Sequence, residues 1–273
     1  MIGKIVFRII LILAFVYLLF FLFTKPSNNR DWSTDQAVLP EVQINDNLVS
    51  VKNVRNFSYK TTTDYTPGYY DSAFDVSRIK KAYYFVEPFQ GQSEGVAHTF
   101  LSFEFEGGQF VAVSVEIRKE KGETFSALKG LFRQYELTYV IADERDVVKL
   151  RTNYRKDDVF MYPLSISKEK TAALFLSMMK RAQKLAVEPE FYNALTSTCT
   201  SNIIDHAREI SDKEVPRWHR AVILPNYSDQ LAQELGFLDE TEPVWTVRHK
   251  YKINELAEKY ADDPLFSKRI RGR

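Results

Sequence analysis

Residues 97–117 predict a β-hairpin, and this segment limits the possible folds of the chain more than any other. Residues 97–105 and 109–117 alternate apolar with polar side chains, and Glu106-Gly107-Gly108 separates the two runs. Alternation with a period of two is typical of half-buried strands. Glycine supplies the left-handed residue that a three-residue hairpin turn needs. We therefore predict a strand at 97–105, a turn at 106–108 and a strand at 109–117.

The alternation also predicts the register of this hairpin, because the apolar side chains of both strands must enter the same core. Phe105 then pairs with Gln109, and His98 falls opposite Glu116. The other face of the hairpin carries a polar row, which either meets solvent or forms a site. The members of this row are His98, Ser102, Glu104, Ser114 and Glu116.

Elsewhere the chain mixes further strands with helices, which predicts an α+β fold with an antiparallel sheet. Short apolar runs predict strands at 136–142, 146–151 and 159–164. Helical spacing of apolar residues, together with start and stop signals, predicts helices at 168–187, 199–210 and 228–236.

Residues 9–23 form an apolar run of fifteen residues without a charge, and Ile5-Val6-Phe7 extend it beyond Arg8. A membrane-spanning helix needs about 20 apolar residues, a length that is reached if the Arg8 side chain extends to the interface. We expect an uncleaved transmembrane anchor at 5–24. A cleaved signal peptide is the alternative, but no small-residue cleavage site follows. Lys4 and Arg8 favour a cytoplasmic N-terminus, with the rest of the chain in the periplasm or cell exterior.

Composition divides the chain that follows this segment. Residues 25–53 are polar and are expected to form a tether. Residues 54–240 contain the predicted strands and helices and are expected to form the functional domain. Residues 241–273 are expected to be a C-terminal extension whose basic tail, residues 268–273, is a solvated end.

Charge and motif content argue against several function classes. Lys plus Arg number 37 and Asp plus Glu number 36, whereas a nucleic-acid binder would usually carry a basic excess. The chain has one cysteine, no HExxH motif and no histidine pair at ligand spacing, so we expect no metal site. It also has no phosphate-binding glycine loop and no G-x-S-x-G elbow. We therefore expect no cofactor and no serine hydrolase.

Cys199 is the only cysteine, and it lies where the predicted helix 199–210 begins. A helix N-terminus favours the thiolate and lowers the pKa of a thiol. The hydroxyl residues around Cys199 argue against an inert apolar position, although a buried structural cysteine is the alternative. Cys199 is therefore our candidate nucleophile.

The chain offers four histidines as candidate bases for this thiol. His206 lies roughly 10 Å along the same helix, too far for direct proton transfer. His219 and His249 stand among charged residues, which is typical of surface positions. His98 lies on the polar face of the hairpin, where a facing carboxylate or hydroxyl can fix its tautomer. We select His98, with Glu116 as the third member and Ser114 as the alternative.

Five segments, in this order, resemble the Lnb N-terminal periplasmic domain family. They are AHTFLSF at 97–103, SVEIRKE at 114–120, KGLFRQYE at 129–136, RTNYR at 151–155 and FYNALTSTCT at 191–200. The resemblance covers roughly residues 54–240. It implies a circularly permuted NlpC-like, papain-like fold, in which the strand histidine precedes the helix cysteine. His98 and Cys199 stand in that order.

The resemblance also implies an activity, lipoprotein N-acylation in the envelope of a Gram-negative bacterium. A phospholipid would donate an acyl chain to Cys199, and the N-terminal amine of a lipoprotein would accept it. The protein would be a single-pass protein of the inner membrane, with its soluble domain in the periplasm. Tyr192 and Asn193 are candidates for contacting the substrate, and Arg118 for binding a phosphate headgroup.

Two other functions remain open from the sequence. A cysteine peptidase or amidase of the same fold would use the same residues on cell-wall or envelope peptides, with water as the acceptor. A non-catalytic envelope binding module would hold Cys199 as a structural residue. The sequence leaves the oligomeric state undetermined.

Overall fold

The structure is a computed structural model that describes residues 2–91 and 94–272, and a mixed β-sheet lies at its centre. The strands are β1 Glu41–Asn45, β2 Leu48–Arg55, β3 Ser58–Tyr59, β4 Tyr65–Thr66, β5 Tyr69–Asp75, β6 Ile79–Pro88, β7 Ala97–Phe105, β8 Phe110–Arg118, β9 Glu136–Ala142 and β10 Phe160–Pro163. The order across the sheet is β1-β2-β9-β8-β7-β6-β10, and β5 also pairs with β2. Its ladders are antiparallel except for the parallel contact of β2 with β9. Strands β3 and β4 form a separate small ladder.

Helices of very different length surround this sheet. They are α1 Ile2–Phe23, α2 Ala127–Leu131, α3 Glu144–Lys149, α4 Lys168–Val187, α5 Cys199–Ile210, α6 Arg220–Ile223, α7 Ser228–Glu234, α8 Val244–Val247, α9 Asn254–Lys259 and α10 Phe266–Arg269. A π-helical turn, Leu150–Arg155, continues α3. This architecture confirms the predicted α+β class.

The hairpin of β7 and β8 has the predicted register. Phe100 pairs with Ser114 and Glu104 with Phe110, and the Phe105 amide donates to the Gln109 carbonyl at 2.9 Å. Gly107 and Gly108 both have φ near +83°, a conformation that favours glycine. The core, and not the turn alone, thus fixes which hairpin residues share a face.

Both faces of the sheet are covered. On one face, α4 and α5 pack over the odd-numbered apolar residues of the hairpin, which include Leu101 and Val113. On the other face, a second apolar cluster joins Phe100 of β7 to residues of α3, α9 and α10. The polar row of the hairpin therefore does not meet open solvent, and Ser102, Glu104 and Ser114 are buried.

The strand predicted at 146–151 is wrong. These residues belong to α3 and to the π-helical turn that follows it. Asp143 caps α3, since its side chain accepts a hydrogen bond from the Arg145 amide. The neighbouring β-branched residues Val147 and Val148 suggested a strand, but both are buried on one side of α3.

The segments on either side of 54–240 also pack onto the fold. Strand β1 and most of β2 come from residues 25–53, the segment expected to be a tether, and both lie in the main sheet. Helices α8 to α10 come from 241–273, and Ile270 is fully buried. The expectation of a solvated basic tail is therefore wrong for Ile270 and Arg271, while Arg273 lies outside the described residues.

The described part of the chain contains no helix that combines the length and apolarity needed to cross a membrane. The anchor expected at 5–24 is therefore not found as a membrane span. The segment lies in α1, and its described apolar side chains are exposed.

Candidate active site

Cys199 is the first residue of α5, as predicted from the sequence. Thr198 is the N-cap and forms a reciprocal capping box with Ser201: its side chain accepts from the Ser201 amide, and its own amide donates to Ser201 Oγ at 2.7 Å. Such a cap stabilises a helix by about 1 kcal/mol. The amides of Cys199 and Thr200, at the first two positions of the helix, have no carbonyl partner within it. The Cys199 side chain is only partly buried.

His98, the second residue of β7, is brought to this helix start. It is 8 % exposed, and its imidazole lies close enough to the Cys199 thiol for each group to shift the pKa of the other. The adjacent residues of the strand and the helix also meet, since the hydroxyls of Thr99 and Thr200 lie 3.0 Å apart. Strand and helix are therefore joined directly beside the thiol and the imidazole.

Ser114 and Glu116 both contact the far side of this imidazole. His98 Nε2 lies 2.7 Å from Ser114 Oγ and 3.4 Å from Glu116 Oε1. Ser114 Oγ in turn donates to Glu116 Oε1 at 2.7 Å. Since Nε2 is taken by this pair, Nδ1 is the nitrogen that remains for the thiol. The two residues that the sequence offered as alternatives therefore act on the same imidazole together.

Arg151 and Glu87 complete this polar chain, and the sequence did not point to them as site residues. Arg151 Nη2 donates to Glu116 Oε1 at 2.9 Å, and Arg151 Nε donates to Glu87 Oε2 at 2.6 Å. The side chains of Arg151 and Glu87 are 2 % and 0 % exposed. Arg151 lies in the π-helical turn, a conformation that is frequent at functional sites. The RTNYR segment at 151–155, quoted above for the resemblance, was the available signal.

These contacts favour a charged pair at the site. Burial opposes protonation of His98, but attraction to Glu116 and Cys199 outweighs it and raises the pKa of His98 to about 9. Burial also opposes the thiolate, but His98, the Thr99 amide and the Thr200 hydroxyl outweigh it and lower the pKa of Cys199 to about 7. Between these two values a thiolate faces an imidazolium, which is the reactive form of a cysteine nucleophile.

Tyr192 and Asn193 precede the thiol in a short turn before α5. Burial and the charges of Cys199 and Glu116 raise the pKa of Tyr192. The Asn193 side-chain oxygen accepts from the amides of Leu195 and Thr196 at 2.9 and 3.0 Å. Tyr192 packs against the same apolar core as Cys199, whereas Asn193 shapes the loop that leads to the thiol.

Arg118 is not brought to the site. Its guanidinium donates to Gln36 O, Asn28 Oδ1 and Ala37 O, and it stacks on the Trp32 ring with 4.2 Å to the centroid. All of these partners belong to the segment that precedes β1. Arg118 therefore holds this segment on the sheet, and its donors are used within the protein, which corrects its expected role in binding a headgroup.

The other histidines have different surroundings. His206 lies between Tyr139 Oη at 2.8 Å and Ser177 Oγ at 2.7 Å, and burial lowers its pKa to about 4. His219 caps α6, and His249 is exposed. Among the described residues, no group of three or more His, Cys, Asp or Glu is arranged to hold a metal ion.

The chain matches a known protein family. Residues 65–224, more than half of the chain, match the Lnb N-terminal periplasmic domain. This range contains the thiol, the imidazole and the whole polar chain behind them. No curated protein and no solved structure matches the chain. The suspected family is thus confirmed, and with it an envelope-associated periplasmic domain.

Proposed function

We propose that this chain, which belongs to the Lnb N-terminal periplasmic domain family, is a cysteine acyltransferase. The observation that carries the proposal is the position of the Cys199 thiol, at the start of α5, beside the His98 imidazole on β7: the neighbouring Thr200 and Thr99 hydroxyls lie 3.0 Å apart, and the two groups shift each other's pKa. The order of the two residues supports a circularly permuted NlpC-like arrangement, in which the strand histidine comes first. A cysteine in a purely structural role has no need of a lowered thiol pKa or of an oriented imidazole.

In the first half-reaction, the Cys199 thiolate attacks the carbonyl carbon of a phospholipid ester. We assign stabilisation of the oxyanion that forms to the amides of Cys199 and Thr200 at the start of α5. When the tetrahedral intermediate collapses, the carbon–oxygen ester bond breaks and the His98 imidazolium gives its proton to the lysophospholipid alkoxide. A thioester on Cys199 and a neutral imidazole remain.

In the second half-reaction, an amine attacks this thioester. His98, now neutral, accepts a proton from the amine, and the Cys199 thiolate leaves as the amide bond forms. The site then returns to its thiolate–imidazolium state. We propose that the acceptor is the N-terminal amine of a lipoprotein. Water in its place would make the protein a hydrolase, and this alternative is separated by the experiment below.

We also propose that α1 holds the domain at the inner membrane, with the thiol site on the periplasmic side. The apolar side chains described along α1 are exposed, as are those of Leu128, Phe132 and Leu195. Arg133 links α1 to the domain: its guanidinium donates to Phe21 O at 2.7 Å and lies over the Phe21 ring. A lipid donor would then be close to the thiol.

Intact-protein mass spectrometry tests the first half-reaction. The wild-type protein and the Cys199→Ala variant are incubated with phospholipid vesicles, and we expect a hydroxylamine-labile acyl adduct on the wild type alone. His98→Gln should reduce adduct formation at least about 100-fold, in the range of general acid–base catalysis. His249→Gln, which changes an exposed histidine, should leave it unchanged.

The acceptor is then added to the isolated thioester. A lipopeptide with a free N-terminal amine should gain the mass of one acyl chain, whereas release of free fatty acid would identify a hydrolase. A wild-type protein whose thiol alkylates readily but forms no thioester with phospholipid contradicts the acyltransferase. An equal adduct on Cys199→Ala contradicts the choice of nucleophile.

A further inference from the structure

A cleft opens between α5 and α7, next to the thiol. Its empty space is about 530 Å³ when the open solvent at its mouth is included. Its inner wall is formed by the main core, including Leu101 and Leu174, and its outer wall by a separate apolar cluster that contains Ile204 and Leu231. The cleft is thus a gap where the two apolar clusters do not pack fully against each other. Only about 50 Å³ has room for the centre of a water molecule, so an occupant must part the walls.

The lining of the cleft suits an apolar occupant. Apart from Tyr84, Thr200 and Ser228, every side chain that lines it is apolar. Thr200 Oγ1 lies 3.0 Å from Thr99 Oγ1, and Tyr84 Oη donates to Ser228 Oγ at 2.7 Å. Because these hydroxyls already have partners, a polar ligand would find few groups to bind.

The cleft begins beside Cys199 and runs away from it. Thr200 lines its inner end, and Thr200 Oγ1 lies 3.8 Å from Cys199 Sγ. The wall provided by α5 continues to Ile210, about 15 Å further along the helix at 1.5 Å per residue. The half-buried Ala207 and Ala232 line the cleft from α5 and α7. An extended molecule in the cleft would therefore point one end at the thiol.

We propose that this cleft binds the fatty acyl chain whose carbonyl carbon is presented to Cys199. This proposal rests on the proposed acyl transfer, and it assigns selection of the fatty acyl chain to the cleft. Each methylene that enters the cleft leaves water, so binding should tighten about fourfold per methylene until the cleft is full. Free fatty acids and phospholipids carry the same chain, and the experiment separates these sources.

The cleft is tested first by binding, without catalysis. The Cys199→Ala protein is titrated with cis-parinaric acid, a fluorescent fatty acid, in competition with saturated fatty acids of eight to sixteen carbons. Ala207→Phe and Ala232→Phe, added singly, place a ring in the cleft from opposite walls. We expect at least tenfold weaker binding in each. Glu209→Phe adds the same ring to the exposed side of α5 and should leave binding unchanged.

Circular dichroism shows which of the two cleft variants fold. One folded variant is enough for the test. Absence of parinaric acid binding, or equal binding by a folded cleft variant, overturns the proposal. In the wild-type background, the same substitutions should reduce thioester formation from long-chain more than from short-chain phospholipid. If the protein binds fatty acids but forms no thioester from any phospholipid, the proposed acyltransferase activity is wrong and the proposed role of the cleft stands. If the rate of thioester formation depends neither on chain length nor on either substitution, the proposed role of the cleft is wrong and the acyltransferase activity stands.

Discussion

Ser114 lies between His98 and Glu116, and this position decides how the imidazole is held. Its hydroxyl is 2.7 Å from His98 Nε2 and donates to Glu116 Oε1 at 2.7 Å. The serine therefore accepts from the imidazole, which puts a proton on Nε2 and directs Nδ1 to the thiol. The Glu116 carboxylate supplies the charge that stabilises the imidazolium, while the Ser114 hydroxyl fixes the orientation of the ring. Arg151 keeps the carboxylate charged, because burial opposes its charge but His98 and Arg151 hold the pKa of Glu116 well below its usual range.

Removing the charge of Glu116 should weaken the thiolate. In Glu116→Gln, the pKa of His98 should fall from about 9 toward its ordinary value, and the pKa of Cys199 should rise from about 7. At pH 7 about half of the wild-type thiols are ionised. A pKa higher by one unit would leave roughly a tenth, so alkylation should slow about fivefold.

The measurement is the rate of iodoacetamide alkylation of Cys199 between pH 5 and 10. The folded pKa of the thiol is depressed, so reactivity is lost as the pH falls through about 7. The curve of Glu116→Gln should be displaced to higher pH and should meet the wild-type curve above both pKa values. Glu106→Gln changes an exposed carboxylate in the turn of the same hairpin and serves as control. Superimposable curves for wild type and Glu116→Gln would remove Glu116 from the site.

The sequence predicted the thiol–imidazole contact but not what lies behind it. Cys199 and His98 each lie in a local sequence pattern. Cys199 follows a helix start signal, and His98 belongs to the polar face of an alternating hairpin. Arg151 and Glu87 have no such pattern, because their meeting depends on a π-helical turn packing against strand β6 of the sheet. Arg118 was assigned to the substrate because it is charged. Its stacking on Trp32 depends on a segment more than 80 residues away.

At the scale of elements, prediction succeeded where local and tertiary signals agree. Helices α4 and α5 begin and end at the predicted residues, 168–187 and 199–210, because a hydroxyl cap and an apolar stripe both specify them. The hairpin kept its register for the same reason. At 146–151, β-branched residues favoured a strand, but the cap at Asp143 and burial against the sheet favoured α3.

Helix α1 should attach the protein to lipid. We expect the full chain to float with phospholipid vesicles in a density gradient and a chain that begins at Lys25 to remain at the bottom, because burial of the exposed α1 side chains drives the attachment. Arg133→Ala leaves these side chains in place and should still float. Equal flotation of the full and shortened chains would show that another surface binds the lipid.

At the scale of the whole molecule, the flanking segments cover polar groups that residues 54–240 alone would leave without partners. The polar row on β7 and β8 would be costly to bury without partners. Glu144 meets Ser102 Oγ at 2.5 Å, and the Arg271 guanidinium, from the end of the chain, donates to both Glu144 oxygens at 2.5 and 2.8 Å. Alternation on the hairpin predicted a polar face, but nothing local indicated that residues 250 to 271 would cover it.

Arg271 should therefore contribute far more to stability than a basic residue on a solvated tail. Its side chain is 2 % exposed and that of Glu144 is 0 % exposed. Arg271→Ala leaves a carboxylate buried without its cation, so the free energy of unfolding should fall by about 3–5 kcal/mol. Arg269→Ala is the matched control. It removes a guanidinium from the same helical end, but that group is 41 % exposed and pairs with Asp263 at 3.3 Å, so the loss should stay below about 1 kcal/mol.

Urea unfolding followed by circular dichroism measures both changes, and comparison of the slopes checks that each variant still unfolds in one transition. Equal, small losses would mean that the C-terminal helices separate from the sheet before the domain unfolds. Residues 54–240 would then be the independent domain that the sequence predicted. A large loss for Arg271→Ala alone would mean that the end of the chain belongs to the same cooperative unit as the thiol site. The hairpin that carries His98 would then depend on it.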